Sequence, residues 1–496
     1  MVRERTMSKH INASAGVTRL ALTLVAVASL TACGMFTRGP KYERPALETP
    51  EKLGAAAPDG AAKTPVDWLN WWKGFKDPVL DALLAEATAH NQDLALATAR
   101  IVEAQATLDQ NQSNFYPTVD LNASATRKRS SETTSTFQSG SNPISEDRQL
   151  GLSASYEIDF WGKYAKADEA ARARLLAQNA SRGTVLTTLL SGVAQSYFAL
   201  RALDAQVQLS EQTLATREEN LRLQKKRLDA GLIGELDFRQ ADSEAASVKS
   251  ALEQARQGRS NAESALALLL GRKPTDIAMP KLERGVSLGD LYARQPIPGI
   301  LPSDVLARRP DIVAAEQNLI AANADIGQAR SAYFPKFSIT AGVGQQSSDM
   351  SKLFDPASAF WNLIGNLTQP VFRAGAIGAL VAASNARQQQ ALAQYTQTVQ
   401  SAFRDVHDAL NNVESGNAIA ATTARRIESL KSTLRLSELR YSSGYSSFLE
   451  VLTAQRDLLQ AQNTLVDVQR SQLTAVVSLY KALGGGWDAN AAPAPN

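Results

Sequence analysis

The chain has a single cysteine and three histidines in 496 residues, and aromatic side chains make up only 6% of it. One cysteine excludes a framework of intrachain disulfides. His10, His90 and His407 are nowhere at metal-ligand spacing. No phosphate-cradling glycine loop and no nucleophile elbow occurs. Nothing therefore points to an enzyme, a metal or a cofactor. Charge of one sign is also missing. The formal net charge is +3, and residues 1–32 supply it all, with Arg3, Arg5, Lys9 and Arg19 against Glu4 (4 − 1 = 3). The remainder is neutral, so nucleic acid is not expected as a partner. The apolar run Leu20–Leu30 is too short to span a bilayer as a helix.

That run, behind a basic start, reads as the core of an export signal over residues 1–32. It leads into Leu30-Thr31-Ala32-Cys33, which resembles the bacterial lipobox, in which the cysteine is lipidated and becomes the mature first residue. Gly34 rather than Asp follows, the pattern of lipoproteins delivered to the outer membrane. A covalent lipid on Cys33 anchors the chain without spanning the bilayer. Residues 33–78 read as a tether. Trp68, Trp71, Trp72 and Phe75 cluster at its end and are expected to pack it onto a helix.

The body of the chain is a duplication. Leu221 to Gly271 lies on Leu434 to Gly484 at a constant offset of 213 residues, with twelve identities in 51 positions. Phe115-Tyr116-Pro117 echoes Tyr333-Phe334-Pro335 at an offset of 218. Two structural repeats follow, 79–300 and 301–486, with a tail at 487–496. Leu452, Leu459, Val466, Leu473 and Tyr480 recur every seven residues, beside a line of Ala454, Ala461, Val468, Ala475 and Ala482. Ala241, Val248, Ala255, Ala262 and Leu269 form the matching line in the first copy. A sustained seven-residue period predicts supercoiled, closely approaching helices.

Each copy reads helix, strand, strand, long helix, tight turn, long helix. The first helix is expected from about Val79 to Asn114. The period then changes to two, with strands at about 117–127, 148–161, 335–345 and 358–371. Apolar residues such as Val119, Leu121 and Ala123 alternate with Thr118, Asp120 and Asn122, the pattern of a transmembrane β-barrel with a polar interior. Four strands are too few to close a barrel, and open edges are not tolerated in lipid, so the barrel must be shared between chains. The helices Lys163–Leu228 and Gly375–Tyr441 carry charge throughout and would each be roughly 100 Å long, so they must cross an aqueous compartment. Gly183, Gly192, Gly378 and Gly416 are candidate bends within them. Arg272–Pro302 reads as a connector.

Leu306-Ala307-Arg308-Arg309-Pro310-Asp311-Ile312, then Ala315-Glu316, Ala321-Ala322-Asn323-Ala324, Ile326-Gly327 and Tyr333-Phe334-Pro335, closely resemble the outer-membrane efflux proteins. These are TolC-like channels, here of the lipoprotein branch that serves RND-type multidrug efflux. The segments Leu479 to Trp487 and Trp72 to Leu83 also look like that family. The resemblance implies a mainly α fold with a membrane β-barrel: a homotrimer with a twelve-stranded barrel in the outer membrane and a coiled-coil α-barrel across the periplasm. It implies a periplasmic membrane-fusion adaptor and an inner-membrane transporter as partners, and drugs or other small molecules as cargo. An outlet for protein secretion or metal export shares this architecture. A periplasmic coiled-coil scaffold lipoprotein would explain the heptads but not the strands. Arg308, Arg309 and Asp311 read as a helix start.

By the same resemblance, the turns at Gly231-Leu232 and Gly444-Tyr445 are the periplasmic tips where the adaptor docks. Leu449, Thr453 and Arg456 share one helical face, which in relatives carries a constricting apolar residue, an acid and an arginine that gate the channel. Here the acidic position is Thr453. If charge holds Arg456, its partner is then another carboxylate, such as Glu450, Asp457, or Asp237 and Asp242 of the other hairpin; the alternative is a solvated arginine on a coiled coil.

Overall fold

A computed structural model describes residues 39–46, 67–135, 137, 140, 142–297 and 308–488. Cys33, the export signal and most of the tether lie outside the described residues. The chain divides into two compact units. The first takes residues up to Ala46, Val102–Ala177 and Glu316–Gln394; the second takes Leu47–Ile101, Gln178–Ala315 and the remainder from Tyr395. The elements in order are α1 (Pro78–His90), α2 (Gln92–Ser113), β1 (Thr118–Arg129), β2 (Ile144–Ile158), α3 (Lys163–Asp229) and α4 (Glu235–Leu269). Two short helices follow, α5 (Pro274–Ala278) and α6 (Leu288–Ala293). Then come α7 (Pro310–Ser331), β3 (Lys336–Ser347), β4 (Ala359–Thr368), α8 (Ala376–Ser442) and α9 (Phe448–Ala482).

The duplication holds at the level of helix ends. α3 and α8 each have 67 residues, α4 and α9 each have 35, and both pairs are offset by 213 (376 − 163 and 448 − 235). α2 and α7 each have 22 residues at an offset of 218 (310 − 92). Both long helices run unbroken through their glycines. Close approach explains two of these glycines. A Cβ at Gly183 would lie 2.5 Å from Trp487 Nε1, and one at Gly416 would lie 1.8 Å from Gln472 Oε1. Among the described residues, no helix is long and apolar enough to cross a membrane.

One expected element is two. The helix expected from Val79 to Asn114 stops at His90 and restarts at Gln92. Asn91 is extended, and its Oδ1 accepts the amides of Asp93 and Leu94 at 2.9 and 3.1 Å, so it caps the second helix. The break is forced by packing. A Cβ at Gly271 would come within 2.1 Å of the His90 carbonyl, so the turn after α4 sits directly on the break. Asn91 Nδ2 donates to the Leu269 carbonyl at 3.0 Å. The second copy repeats this with other letters: Gly484 sits on the Arg308 carbonyl, and Arg309 donates to the Ala482 carbonyl at 3.2 Å.

In the first unit, the four strands form one antiparallel sheet in the order β1-β2-β3-β4. Its register sorts the side chains. Leu121 pairs with Leu152, Leu152 with Val343, and Val343 with Trp361. The neighbouring rows on that face are Val119, Ala154, Ala341 and Leu363, then Tyr156, Ile339 and Gly365. The opposite face carries Thr118, Asp120, Asn122, Ser153, Ser155, Thr340 and Asn362. One face is thus apolar across all four strands, and the other is mostly small and polar. Among the described residues, β1 and β4 each keep one unpaired edge. Alanines hold the helices of this unit together, with Ala170 and Ala173 of α3 packed on Ala321 and Ala324 of α7.

The second unit holds the largest hydrophobic cluster, which joins Phe75, Leu80, Tyr197, Phe198, Leu270, Leu473 and Tyr480. Trp71 stacks on Tyr480 with centroids 5.2 Å apart, and the Gly486 amide donates to the Trp68 carbonyl at 2.7 Å. The aromatic cluster therefore packs the chain onto the end of α9, as its composition predicts. Arg309 is buried. It chelates Asp311 at 3.0 and 2.7 Å and reaches Asp405 at 3.2 Å. Burial pulls its pKa down, but the two carboxylates outweigh burial and raise it above the ordinary value. The group at the start of α7 is structural, as its helix-start reading implies.

Candidate functional site at the hairpin turns

Both turns between the long helices end them in the same way. Gly231 has φ 70° and Gly444 φ 78°, a left-handed conformation that glycine adopts without a Cβ penalty. The Leu232 amide donates back to the Arg227 carbonyl at 2.9 Å, and the Gly231 amide to the Leu228 carbonyl at 2.9 Å. Tyr445 and Gly444 repeat the pair onto the Arg440 and Tyr441 carbonyls at 2.9 and 3.0 Å. This is the Schellman arrangement, which satisfies carbonyls that a helix end leaves open. A Cβ at either glycine would meet nothing within 4 Å, so the turns are open on that side. Leu232 is 74% exposed and Tyr445 80% exposed.

Just beyond the turns the two hairpins share a small core. Ala241 of α4 packs with Phe448, Val451 and Leu452 of α9, and Leu221, Leu434 and Tyr441 cover them. The heptad lines place these residues: Ala241, Leu452, Ala454 and Ala461 are all buried. Leu449 lies off that core and is 52% exposed. Thr453 bonds its own helix, its hydroxyl donating to the Leu449 carbonyl at 2.9 Å. It therefore does not fill the acidic role.

Arg456 pairs with another carboxylate, as expected if charge holds it, but with none of the four named from the sequence. Its Nε donates to Glu244 Oε2 at 2.6 Å, across from α9 to α4. Glu450 instead lies 3.9 Å from Arg440, and Asp242 and Asp457 point to solvent. The reason is position on the helix. Glu244 stands three residues after Ala241 and four before Val248, on the buried line, where a carboxylate needs a partner. That spacing was a signal available in the sequence. The sequence reading also missed Arg217 of α3, whose Nε lies 3.7 Å from Glu244 Oε1, an ion pair too long for a hydrogen bond. Glu244 and Arg217 side chains are only 4% and 7% exposed, whereas Arg456 is 56% exposed. Burial pushes the Arg217 guanidinium below its ordinary pKa, against the pull of Glu244 and Glu438. One buried carboxylate thus serves two arginines, one from each copy of the repeat.

Among the described residues, no group of three or more His, Cys, Asp or Glu side chains could hold a metal ion. The arrangement is a pair of helical hairpin ends with exposed apolar turns and a charge cluster between them. Comparison with known proteins gives it a family. Residues 83–272 and 301–485 match the family described as Outer membrane efflux protein. The chain belongs to that family. The cation efflux system protein CusC of Escherichia coli is 34% identical over 462 residues, covering 92% of this chain and 97% of CusC. The toluene efflux pump outer membrane protein TtgI of Pseudomonas putida is 35% identical over 416 residues, covering 83% and 86%. The solved structure of the outer-membrane channel OprN superposes with a TM-score of 0.81 at 28% identity, covering 91% of this chain and 99% of that one. Like other outer-membrane efflux proteins, this chain is TolC-like in fold, a component of efflux at the cell outer membrane with a large periplasmic portion, and not an enzyme.

Proposed function

We propose that three copies of the chain form the outer-membrane outlet of a tripartite pump that exports drugs or other small molecules. The four-stranded sheet carries this reading, because it has one apolar face, one polar face and two unpaired edges. In lipid every backbone group must be paired, so the β4 edge of one copy must meet the β1 edge of the next until the ring closes. The apolar face then meets lipid, and the polar face of Thr118, Asn122, Ser153 and Thr340 lines the pore. Mostly small and polar residues, with Asp120 among them, suit a permissive outlet. The test is mass and conductance of the detergent-solubilised channel. A single-chain mass with channel activity intact would refute it.

Within this reading, Cys33 carries the lipid, and no cofactor is needed. The exposed turns at Gly231, Leu232, Gly444 and Tyr445 receive the periplasmic membrane-fusion adaptor, which couples the channel to an inner-membrane transporter. Leu449, Thr453 and Arg456 line the closure, with Arg456 held by Glu244 instead of an acid on its own face. Similarity to CusC favours a second reading, in which the cargo is a metal cation. Deleting the protein and comparing sensitivity to toluene and large antibiotics with sensitivity to metal cations separates the two.

A further inference from the structure

The apolar face of the sheet changes character at the loop end of the strands. Alternation along β1 sends Val119, Leu121, Ala123 and Ala125 to that face, and it sends Arg127 and Arg129 there too. On β2 the same face carries Leu150, Arg148 and Glu146, because Ala123 pairs with Leu150, Ala125 with Arg148 and Arg127 with Glu146. Lys128 lies between the two β1 arginines but belongs to the polar face, opposite Ser145. Three arginines thus stand against one strand carboxylate on a face that is otherwise apolar.

That carboxylate is shared. Arg148 donates to Glu146 Oε2 at 2.7 Å and to the Ser348 carbonyl at 2.7 Å, which fixes it to the strand ends. Arg127 Nε lies 3.3 Å from Glu146 Oε1, and Arg129 reaches Glu132 of the following loop at 3.2 Å. The side chains of Arg127 and Arg129 remain 71% and 72% exposed, so most of their donors stay open. Two other carboxylates at this end are engaged elsewhere. Asp147 accepts from Gln346 at 2.9 Å on the polar face, and Asp349 accepts the Ser351 amide at 3.0 Å.

The arginines begin where the apolar band ends. From Ile158, at the helix end of β2, to Arg148 is ten residue steps (158 − 148), about 33 Å along the strand. At the tilt of roughly 40° usual in a membrane barrel this is about 25 Å of height, the height of the apolar band that such barrels show to lipid. The helices leave from the opposite end of the strands and belong to the periplasm. The arginines therefore stand at the head groups of the outer leaflet.

We propose that Arg127, Arg129 and Arg148 form a docking surface for a phosphate-bearing lipid of the outer leaflet. The inference rests on the shared-barrel reading, which turns the apolar face toward lipid. A phosphate monoester carries a charge of about −1.5 to −2 and three acceptor oxygens, which match the planar fork of a guanidinium. Arg127 and Arg129 stand about 7 Å apart along β1, close enough for one phosphate to meet both forks. Arg148, held by Glu146 and Ser348, adds fixed charge beside them. The acyl chains of the same lipid then lie along Ala123, Leu121 and Leu152, on the apolar rows below.

The experiment uses the full-length channel in detergent, with lipid A as the probe. Native mass spectrometry reads the oligomer and its bound lipid together. The unaltered oligomer is expected to hold lipid A at least tenfold more tightly than Arg127→Gln/Arg129→Gln, and at least tenfold more tightly than it holds the same lipid stripped of its phosphates. Lys128→Gln, on the same strand but the other face, is expected to bind as the unaltered channel does. Equal retention by the double variant, or of the stripped lipid, would overturn the proposal while leaving the barrel standing. Equal weakening by Lys128→Gln would overturn it as well, and so would displacement of lipid A by an equal concentration of inorganic phosphate. Protein recovered only as single chains would overturn the barrel reading, and the lipid surface with it.

Discussion

At the tip of the hairpins, the two arginines that share Glu244 differ in what each stands to lose. Arg217 is buried, so Glu244→Ala would strand it without a counter-charge, at a cost of about 3–5 kcal/mol. Arg456 is more than half exposed, and its pair is worth ~0–1 kcal/mol. Heat stability of the solubilised channel should therefore drop sharply in Glu244→Ala and hardly at all in Arg456→Ala. Closed-state conductance should instead rise in Arg456→Ala and in Leu449→Ala if that face shuts the pore. A second prediction concerns Tyr480, whose phenol burial pushes up to about 12 from an ordinary 10.0. The folded state keeps its proton where the unfolded chain has lost it. Stability is then full below pH 10 and declines as pH rises from 10 to about 12. Tyr480→Phe keeps the stack on Trp71 and should flatten that alkaline decline in a pH series of melting temperatures.

Among the elements, four positive-φ glycines end helices, and they fall into two classes. Gly231 and Gly444 face open space, so alanine there costs only the left-handed backbone, roughly 1–2 kcal/mol. Gly271 and Gly484 also press on the His90 and Arg308 carbonyls, so alanine there costs the contact as well. Thermal unfolding should rank Gly271→Ala and Gly484→Ala below Gly231→Ala and Gly444→Ala. Bulky replacements at Gly231 and Gly444 are expected to block efflux while oligomers stay in the membrane. Loss of oligomer instead would show that these are turns and nothing more. Sequence periodicity placed the long helices, both turns and the strands, because heptads and alternation are local. The break at Asn91 was not legible. Asn91 sits among good helix formers, and the cause of the break is Gly271, 180 residues away (271 − 91).

For the whole molecule, the expected outcome is that purified protein runs as an oligomer whose sheet edges are all paired. Cys33→Ser should lose lipid labelling while the shared sheet still inserts, because insertion depends on closing backbone hydrogen bonds. Membrane extraction of the Ser variant by carbonate tests this. Recovery in the soluble fraction would mean that the lipid, and not the sheet, holds the protein.

The sequence by itself determined the duplication, the count of four strands, the two faces of the sheet and the helix lengths, since each is written in spacing along the chain. It also contained the family, in the residues around Pro310. Only the tertiary structure decided which residues far apart in the chain meet. Glu244 takes Arg456, Arg309 holds Asp405 and the end of α9, and Gly39 crosses Gly327. Each of these contacts joins residues 90 or more positions apart. Neither periodicity nor composition encodes such pairings, because they depend on how the helices are turned toward one another.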